Sequence, residues 1–155
     1  MHVHVVAVGE RMPGWVAEGW AMYAGRLPRE LALSLVEVPA GRRAKGADVA
    51  RLVAEEGRRL MAAVPAGARV VALDRSGTAW STDDLAGHLA AWLGDGRDVC
   101  LLVGGPDGLP PACVEHADDR WSLSRLTFPH AVVRVIVAEQ IYRAWSMLQN
   151  HPYHR

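Results

Sequence analysis

Apolar segments with the period of buried strands alternate along this chain with segments that have the period of helices. The strand-like segments are 2–9, 31–39, 69–74, 98–105 and the less regular 120–128. The helical segments are 14–27, 48–64, one that follows the capping residue Ser81, 109–117 and 131–149. Strands that are apolar on both faces and are joined by helices form parallel sheets covered on both sides. The alternation therefore predicts an α/β fold with a five-stranded parallel sheet, helices on both faces, and one domain over residues 1–155.

Ligands of such sheets bind beyond the carboxyl ends of the strands. The segments at those ends are 9–13, 39–48, 74–80, 104–109 and 127–131, and the stretch after Asp74 is predicted to be a loop. The turn GGPDGL at 104–109 matches neither the dinucleotide fingerprint nor the phosphate loop of nucleotide hydrolases. Its glycines allow close approach of a ligand or serve only a tight turn. Asp74 is a general base, a ligand contact or, more often at such positions, the cap of a turn.

The charged residues argue against a protein that coats nucleic acid without specificity. Lys and Arg number 17 and so do Asp and Glu, which gives a net charge of zero. The single dense basic run, GRRAKG at 41–46, contains Arg42, Arg43 and Lys45. This run is either a solvated loop or a loop that contacts RNA phosphates.

Cysteines and histidines give no sign of a disulfide or a metal site. Cys100 lies in an apolar run, which favours a buried, reduced thiol. His2 and His4 merely alternate along a strand, and no His, Cys or Asp cluster has metal-ligand spacing, so a metal hydrolase is disfavoured. The sequence contains no signal peptide and no apolar run of membrane-spanning length, from which we expect a cytoplasmic protein.

The predicted last helix carries one apolar stripe, formed by Val133, Val137, Ile141, Trp145 and Leu148. Glu139 and Arg143 lie off this stripe at i,i+4 spacing, which is typical of a surface ion pair. His130 lies at the N-terminus of the helix, where backbone N–H groups are free to bind. Beyond the helix, Tyr153, His154 and Arg155 (here called the YHR segment) supply groups that transfer protons or bind phosphates.

Four stretches taken together resemble one family. They are VVAVG, LDRSG, LLVGGPDGL, and LSRLTFPHAVVRVIVAEQIYRAW running on to NHPYHR. In this order and spacing they are similar to the ribosomal RNA large subunit methyltransferase H family, which are SPOUT-class enzymes. The resemblance covers the whole chain. It implies an α/β fold with a C-terminal trefoil knot, S-adenosylmethionine as cofactor, and a homodimer that methylates N3 of a pseudouridine in an intersubunit-facing stem-loop of 23S rRNA on the assembled ribosome.

The resemblance also implies which residues contact the cofactor, and the chemistry of other residues suggests further roles. Arg42, Arg43 and Lys45 are expected to contribute to RNA affinity. The YHR segment, with His130 and Glu139 as further candidates, would surround the nucleotide and supply a base for the N3 proton, with the base left unassigned. The YHR segment is expected to lie near the cofactor loops of its own protomer or of its partner. The cofactor would contact Leu73, Gly104, Gly105, Leu123, Ser124, Arg125, Leu126, Thr127 and Phe128, of which Arg125 departs from the family pattern.

Two other functions compete with this reading. A non-catalytic ribosome-binding assembly or silencing factor would keep the basic loop but would have no need of the cofactor segments. A SPOUT methyltransferase acting on tRNA would keep those segments, although this minimal domain carries no appended RNA-binding module. Binding of S-adenosylmethionine separates the first alternative from a methyltransferase, and mapping of the methylated nucleotide separates the second.

Overall fold

The computed structural model describes residues 1–155 and contains five strands and five helices. The strands are β1 His2–Val8, β2 Ala32–Val38, β3 Arg69–Ala79, β4 Val99–Val103 and β5 Asp119–Ser122. The helices are α1 Gly14–Ala24, α2 Val49–Ala62, α3 Thr82–Asp95, α4 Pro111–His116 and α5 His130–Leu148. Short 3-10 helices cover Arg29–Leu31 and Pro152–His154. None of the five helices has the length and apolar character that crossing a bilayer requires.

All five strands are parallel, in the spatial order β2-β1-β4-β3-β5. The central strand β1 pairs on both sides, so that Val5 lies opposite Leu35 of β2 and Leu101 of β4. The predicted α/β fold with a five-stranded parallel sheet is confirmed. Every carboxyl end points to one edge of the sheet, which we call the carboxyl edge.

Helices cover both faces of the sheet, as the apolar strands predicted. Residues Val3, Val5 and Ala7 of β1 belong to a core shared with α1, α3 and α5. Val6 and Val8, which alternate with them, belong to a second core shared with α2 and α4. Helix α5 packs against both α1 and α3. The sheet is therefore buried on both sides, and its loops at the carboxyl edge remain open.

Strand β3 is longer than the predicted segment 69–74. It is interrupted by a bulge, because Leu73 and Thr78 both lie opposite Trp121 of β5, and it then continues to Ala79. Gly77 allows this geometry, since an added Cβ would lie 2.7 Å from the backbone of Trp121. The loop predicted after Asp74 was thus partly wrong: polar residues such as Ser76 belong to a bulge rather than to the end of the strand. Ser81 caps α3 with Asp84, as predicted.

Close packing of α2 on α4 explains why a glycine, Gly57, lies within α2. A Cβ at Gly57 would lie 2.3 Å from Cγ of Pro110 and 3.2 Å from Sγ of Cys113. Both cysteines are buried and free, so the reduced state predicted for Cys100 is confirmed. Gly57 therefore sets the distance between the two helices.

Two glycines in helices predict opposite responses to alanine. Gly57→Ala should destabilise the protein by about 1–3 kcal/mol, because overpacking outweighs the gain in helix propensity. Gly87 of α3 has no atom within 4 Å of an added Cβ, so Gly87→Ala should stabilise by up to about 1 kcal/mol. Chemical denaturation of both variants measures this difference. Equal effects of the two substitutions would contradict the packing explanation.

Candidate active site

An open cleft with about 620 Å³ of empty space lies at the carboxyl edge. Three chain segments form it: the bulge of β3, the glycine turn after β4, and the segment that joins β5 to α5. We call it the edge cleft, and it is lined by Leu73, Asp74, Arg75, Val103, Gly104, Gly105, Gly108, Trp121, Ser122, Leu123, Ser124, Leu126, Thr127, Phe128, His130 and Val133. Of the residues predicted to contact the cofactor, all but Arg125 line this one cleft, and Arg125 is exposed beside it.

The glycine turn after β4 is shaped by contacts within the turn itself. A Cβ at Gly104 would lie 2.3 Å from the carbonyl carbon of Gly108, and one at Gly105 would lie 2.8 Å from Cγ1 of Val8. Gly108 adopts φ +77° and donates from its N–H to the carbonyl of Gly105 at 3.1 Å. The predicted role of these glycines in a tight turn therefore explains them. Because glycines have no side chain, Gly104, Gly105 and Gly108 form the floor of the edge cleft.

The segment between β5 and α5 exposes an apolar side chain at the cleft. Oγ of Ser124 accepts a hydrogen bond from the backbone N–H of Leu126 at 3.0 Å, and Oγ of Ser122 donates to the carbonyl of Ser124 at 3.3 Å. This local turn leaves Leu126 71% exposed. Leu126 thus provides apolar surface that a ligand in the cleft would cover.

The opposite wall is fixed by Asp74, whose carboxylate accepts hydrogen bonds from the backbone N–H of Ser76, at 3.0 Å, and from its hydroxyl. Asp74 therefore caps a turn, which is one of the three roles predicted for it. The turn places Arg75 at the edge cleft with its side chain exposed.

A buried arginine anchors the start of α5. Arg134 is only 1% exposed, and its guanidinium donates to the carbonyls of Gly9 at 2.7 Å and Val8 at 3.2 Å, and to Glu37 at 2.5 Å. These groups lie at the carboxyl ends of β1 and β2, whereas Arg134 belongs to the second turn of α5. Arg134 was not among the functional residues predicted from the sequence. The signal was a lone arginine within the apolar run AVVRVIV.

Of the proposed catalytic residues, His130 alone lines the edge cleft of its own protomer. Burial lowers the pKa of its imidazole, and the positive charges of Arg134 and Arg43 lower it further. The ring is therefore neutral near pH 7 and has a free lone pair with which to accept a proton.

The YHR segment lies elsewhere on α5. The Tyr153 hydroxyl donates to Oε1 of Glu139 at 3.0 Å, and its ring centroid lies 4.6 Å from that of Tyr142. Burial and hydrogen bonds with Tyr23 and Glu139 raise the pKa of the Tyr153 phenol, so it stays protonated. Nine residues of helix separate Glu139 from His130, which is about 13 Å along the axis. Within one protomer, therefore, Tyr153 and Glu139 do not reach the edge cleft.

The other two residues of the YHR segment and the ion pair of Glu139 lie in the same region. Nδ1 of His154 is buried without a hydrogen-bond partner, and Arg155 is exposed. Arg143 donates to Glu139 at 2.8 Å, so the predicted i,i+4 ion pair forms, and the Tyr153 ring covers it. The Glu139 carboxylate is consequently occupied by partners of its own chain.

Comparison with known proteins identifies the chain. Residues 1–154 match the family model described as "Predicted SPOUT methyltransferase". The chain belongs to the SPOUT methyltransferase family. This methyltransferase is 59% identical to a Methylococcus capsulatus protein named ribosomal RNA large subunit methyltransferase H. The match covers all 155 residues of this chain and the whole of that protein. It is also 59% identical over 155 residues to a protein of the same name from Alkalilimnicola ehrlichii, of which 99% is covered.

A solved structure described as "Structural insights into the 2-OH methylation of C/U34 on tRNA" has the same fold. Its TM-score with this methyltransferase is 0.53 at 20% sequence identity, covering 94% of this chain and 91% of the other. A likeness at this identity concerns the fold alone. The trefoil knot, which fits the family, stays a prediction for this methyltransferase.

The basic loop of the methyltransferase divides into two parts. Arg43 pairs with the buried Glu56 and, at 3.0 Å, with Asp107 of the glycine turn. Burial raises the pKa of the Glu56 carboxyl, but hydrogen bonds from Arg43 and from the Gly41 N–H outweigh it, and the pKa lies below its usual value. Arg42 and Lys45 are exposed and make no side-chain contact. Of the three residues predicted to bind RNA, Arg43 is therefore engaged within the protein.

No group of three or more His, Cys, Asp or Glu side chains in the methyltransferase could hold a metal ion. His2 and His4 lie at the amino ends of the strands, far from the edge cleft, and stack with ring centroids 4.1 Å apart. Their ring nitrogens contact Oγ of Ser34 and, from His4, the carboxylate of Asp98. These histidines are accounted for by contacts within the sheet.

The environment of His130 predicts an acid-dependent loss of stability. Because its pKa is lowered in the folded state, the unfolded chain takes up the proton first as the pH falls below about 6.5. His130→Gln should therefore reduce the loss of unfolding free energy between pH 7 and pH 5. NMR titration of the wild-type imidazoles, with the variant to assign His130, measures its pKa directly. A His130 midpoint above 6.5 would contradict the assignment.

Proposed function

We propose that this protein transfers the methyl group of S-adenosylmethionine to N3 of a pseudouridine in 23S rRNA, on the assembled ribosome. The observation that carries the proposal is the edge cleft, because it gathers the three segments expected to hold the cofactor. The identity of 59% over the full length to proteins named ribosomal RNA large subunit methyltransferase H supports an rRNA substrate.

The lining of the edge cleft fits this cofactor. Leu73, Leu126 and Phe128 would provide apolar walls for the adenine ring, and backbone groups of the glycine turn would hydrogen-bond to its polar edge. S-adenosylmethionine supplies, when bound, a methyl group on a positively charged sulfur that is ready for displacement. The protein's own task is to hold the acceptor nitrogen in line at close range and to exclude water. Such a displacement needs no metal ion.

His130 is the residue that we propose to accept the N3 proton. It lines the edge cleft and its lowered pKa keeps the imidazole neutral. Tyr153 is less suited, since its raised pKa keeps it protonated, and the Glu139 carboxylate already accepts from Arg143 and Tyr153. His154 and Arg155 then remain as groups for orienting the nucleotide.

An apolar face on α1 supports a homodimer. Trp15 and Met22 are 57% and 47% exposed, and their spacing of seven residues puts them on one face of α1. Exposed apolar side chains grouped in this way are typical of an interface. We propose that a second copy covers this face and that its YHR segment completes the edge cleft.

Loss of the exposed apolar wall should weaken cofactor binding and methyl transfer together. Leu126→Asp should weaken S-adenosylmethionine binding at least about tenfold, since burying a leucine contributes about 1.5–3 kcal/mol. Val49→Asp, at a 42% exposed site on α2, is the matched control and should bind normally. Calorimetry measures binding. Tritium transfer to ribosomes from cells lacking the gene, followed by mass mapping of the rRNA, measures the reaction.

Each alternative function has its own outcome in this experiment. Absence of S-adenosylmethionine binding by the wild type would favour a non-catalytic ribosome-binding factor. Label found only in tRNA would replace the proposed substrate with that of a tRNA methyltransferase. Label at N3 of a 23S rRNA pseudouridine, lost in Leu126→Asp alone, is the result that we expect.

Mixed dimers test which protomer supplies the YHR segment. A protomer lacking residues 153–155 should be inactive with itself, and so should Leu126→Asp. When the two are co-expressed and purified through separate tags, the mixed dimer should regain about half of wild-type activity, since one of two symmetric sites is intact. If the segment served its own protomer, the mixed dimer would have no intact site. An inactive mixed dimer would therefore contradict the proposal.

A further inference from the structure

Most basic side chains of this protein have partners of their own. Ion pairs engage Arg43, Arg51, Arg58, Arg69, Arg134 and Arg143. Backbone carbonyls accept from Arg59, Arg97 and Arg120, and Arg26 lies over two tyrosine rings. Seven of the 17 basic residues are left without such contacts, and five of these lie in loops and the β3 bulge at the carboxyl edge, namely Arg11, Arg42, Lys45, Arg75 and Arg125. A neutral chain therefore places most of its unpaired positive charge on the side of the cleft.

Arg75 is held at the edge cleft by a rigid stretch of backbone. Before Arg75, Asp74 is fixed by its hydrogen bonds to Ser76. After Arg75, Gly77 lies so close to β5 that an added Cβ would be 2.7 Å from the β5 backbone. Between them Arg75 lines the cleft and remains exposed. Its position is therefore set by the bulge, although its guanidinium makes no contact within the protein.

Arg125 lies on the neighbouring element, next to the cleft. The Ser124–Leu126 hydrogen bond closes a tight turn around it, and both of these neighbours line the cleft. Strands β3 and β5 pair directly, with the bulge opposite Trp121, so the turn that carries Arg125 begins only a few residues from the bulge that carries Arg75. The two unpaired guanidinium groups thus belong to adjacent loops at the mouth of one cleft.

Neither arginine forms an ion pair with a nearby carboxylate. Glu37, Glu56 and Asp107 pair with Arg134 and Arg43, and Asp74, which keeps its charge, accepts hydrogen bonds from Ser76. Glu10 remains as an exposed carboxylate at this edge, next in sequence to Arg11. Phosphates are the natural partner of unpaired arginines, because the planar guanidinium donates two parallel hydrogen bonds to their oxygens.

We propose that Arg75 and Arg125 bind the phosphates of the RNA strand that flank the target nucleotide, and so hold its base over the edge cleft. This inference rests on the proposed function. It assigns the phosphates nearest the target base to Arg75 and Arg125, and phosphates farther along the carboxyl edge to Arg42 and Lys45. Arg43 is a positioning residue, since its pairing with Glu56 and Asp107 joins the basic loop to the glycine turn.

Ribosome binding across a salt series tests the pair. The double variant Arg75→Ala/Arg125→Ala should bind ribosomes from cells lacking the gene at least about tenfold more weakly, and the slope of log affinity against log salt should fall by about 1.4, or 0.7 for each phosphate lost. The affinity for S-adenosylmethionine is measured in the same variant, because Arg75 lines the edge cleft. Arg75→Lys/Arg125→Lys should keep most of the slope, since an ammonium group also pairs with phosphate.

Arg29→Ala/Arg97→Ala removes the same charge from exposed positions at the opposite edge of the sheet and serves as the control. An unchanged salt slope in the Arg75 and Arg125 variant, or an equal loss in the control, would overturn the inference. Loss of S-adenosylmethionine binding in the double variant would also overturn it and assign the arginines to the cofactor. Failure of the proposed function is distinct: the wild type would then bind ribosomes without transferring a methyl group to 23S rRNA.

Discussion

The buried guanidinium of Arg134 is the contact on which the carboxyl edge depends. A buried charge needs hydrogen-bond partners, and here two carbonyls and the Glu37 carboxylate accept from the two terminal nitrogens of Arg134, whereas its Nε has no partner. Those acceptors belong to β1 and β2, at the far side of the sheet from β5. The chain that leaves β5 must therefore return across the edge before α5 begins. This return forms the wall of the edge cleft and places His130 in it.

Glycine geometry makes that contact possible. Gly9 has φ +110°, which an L side chain rarely adopts, and an added Cβ would lie 3.5 Å from the Arg134 guanidinium and 2.9 Å from Met12. Its carbonyl can consequently turn toward α5. A second ion pair, Arg43 with the buried Glu56, joins the basic loop to α2 in the same way. Two ion pairs, each with one buried partner, thus help to hold the loops of this edge together.

The sequence predicted the strands and helices because their apolar periods differ, and it located the edge cleft because the carboxyl ends of parallel strands meet. It did not predict the partners of Arg134 or Arg43. Both arginines find carboxylates that are remote in the chain, Arg134 at a separation of 97 residues, and no local pattern encodes such pairs. The bulge of β3 was missed for a related reason: Gly77 and Ser76 look like a loop until the backbone of β5 is known.

The length of α5 bears on how the site is completed. Its 19 residues span about 27 Å, with His130 at one end and the YHR segment folded back beyond the other. No rotation of side chains closes that gap within one protomer. Two copies packed through the α1 face by a two-fold axis perpendicular to α5 would run their α5 helices in opposite directions. The end of one helix would then lie beside the start of its partner, so that an interface built from Trp15 and Met22 and an active site built from His130, His154 and Arg155 become consequences of the same symmetry.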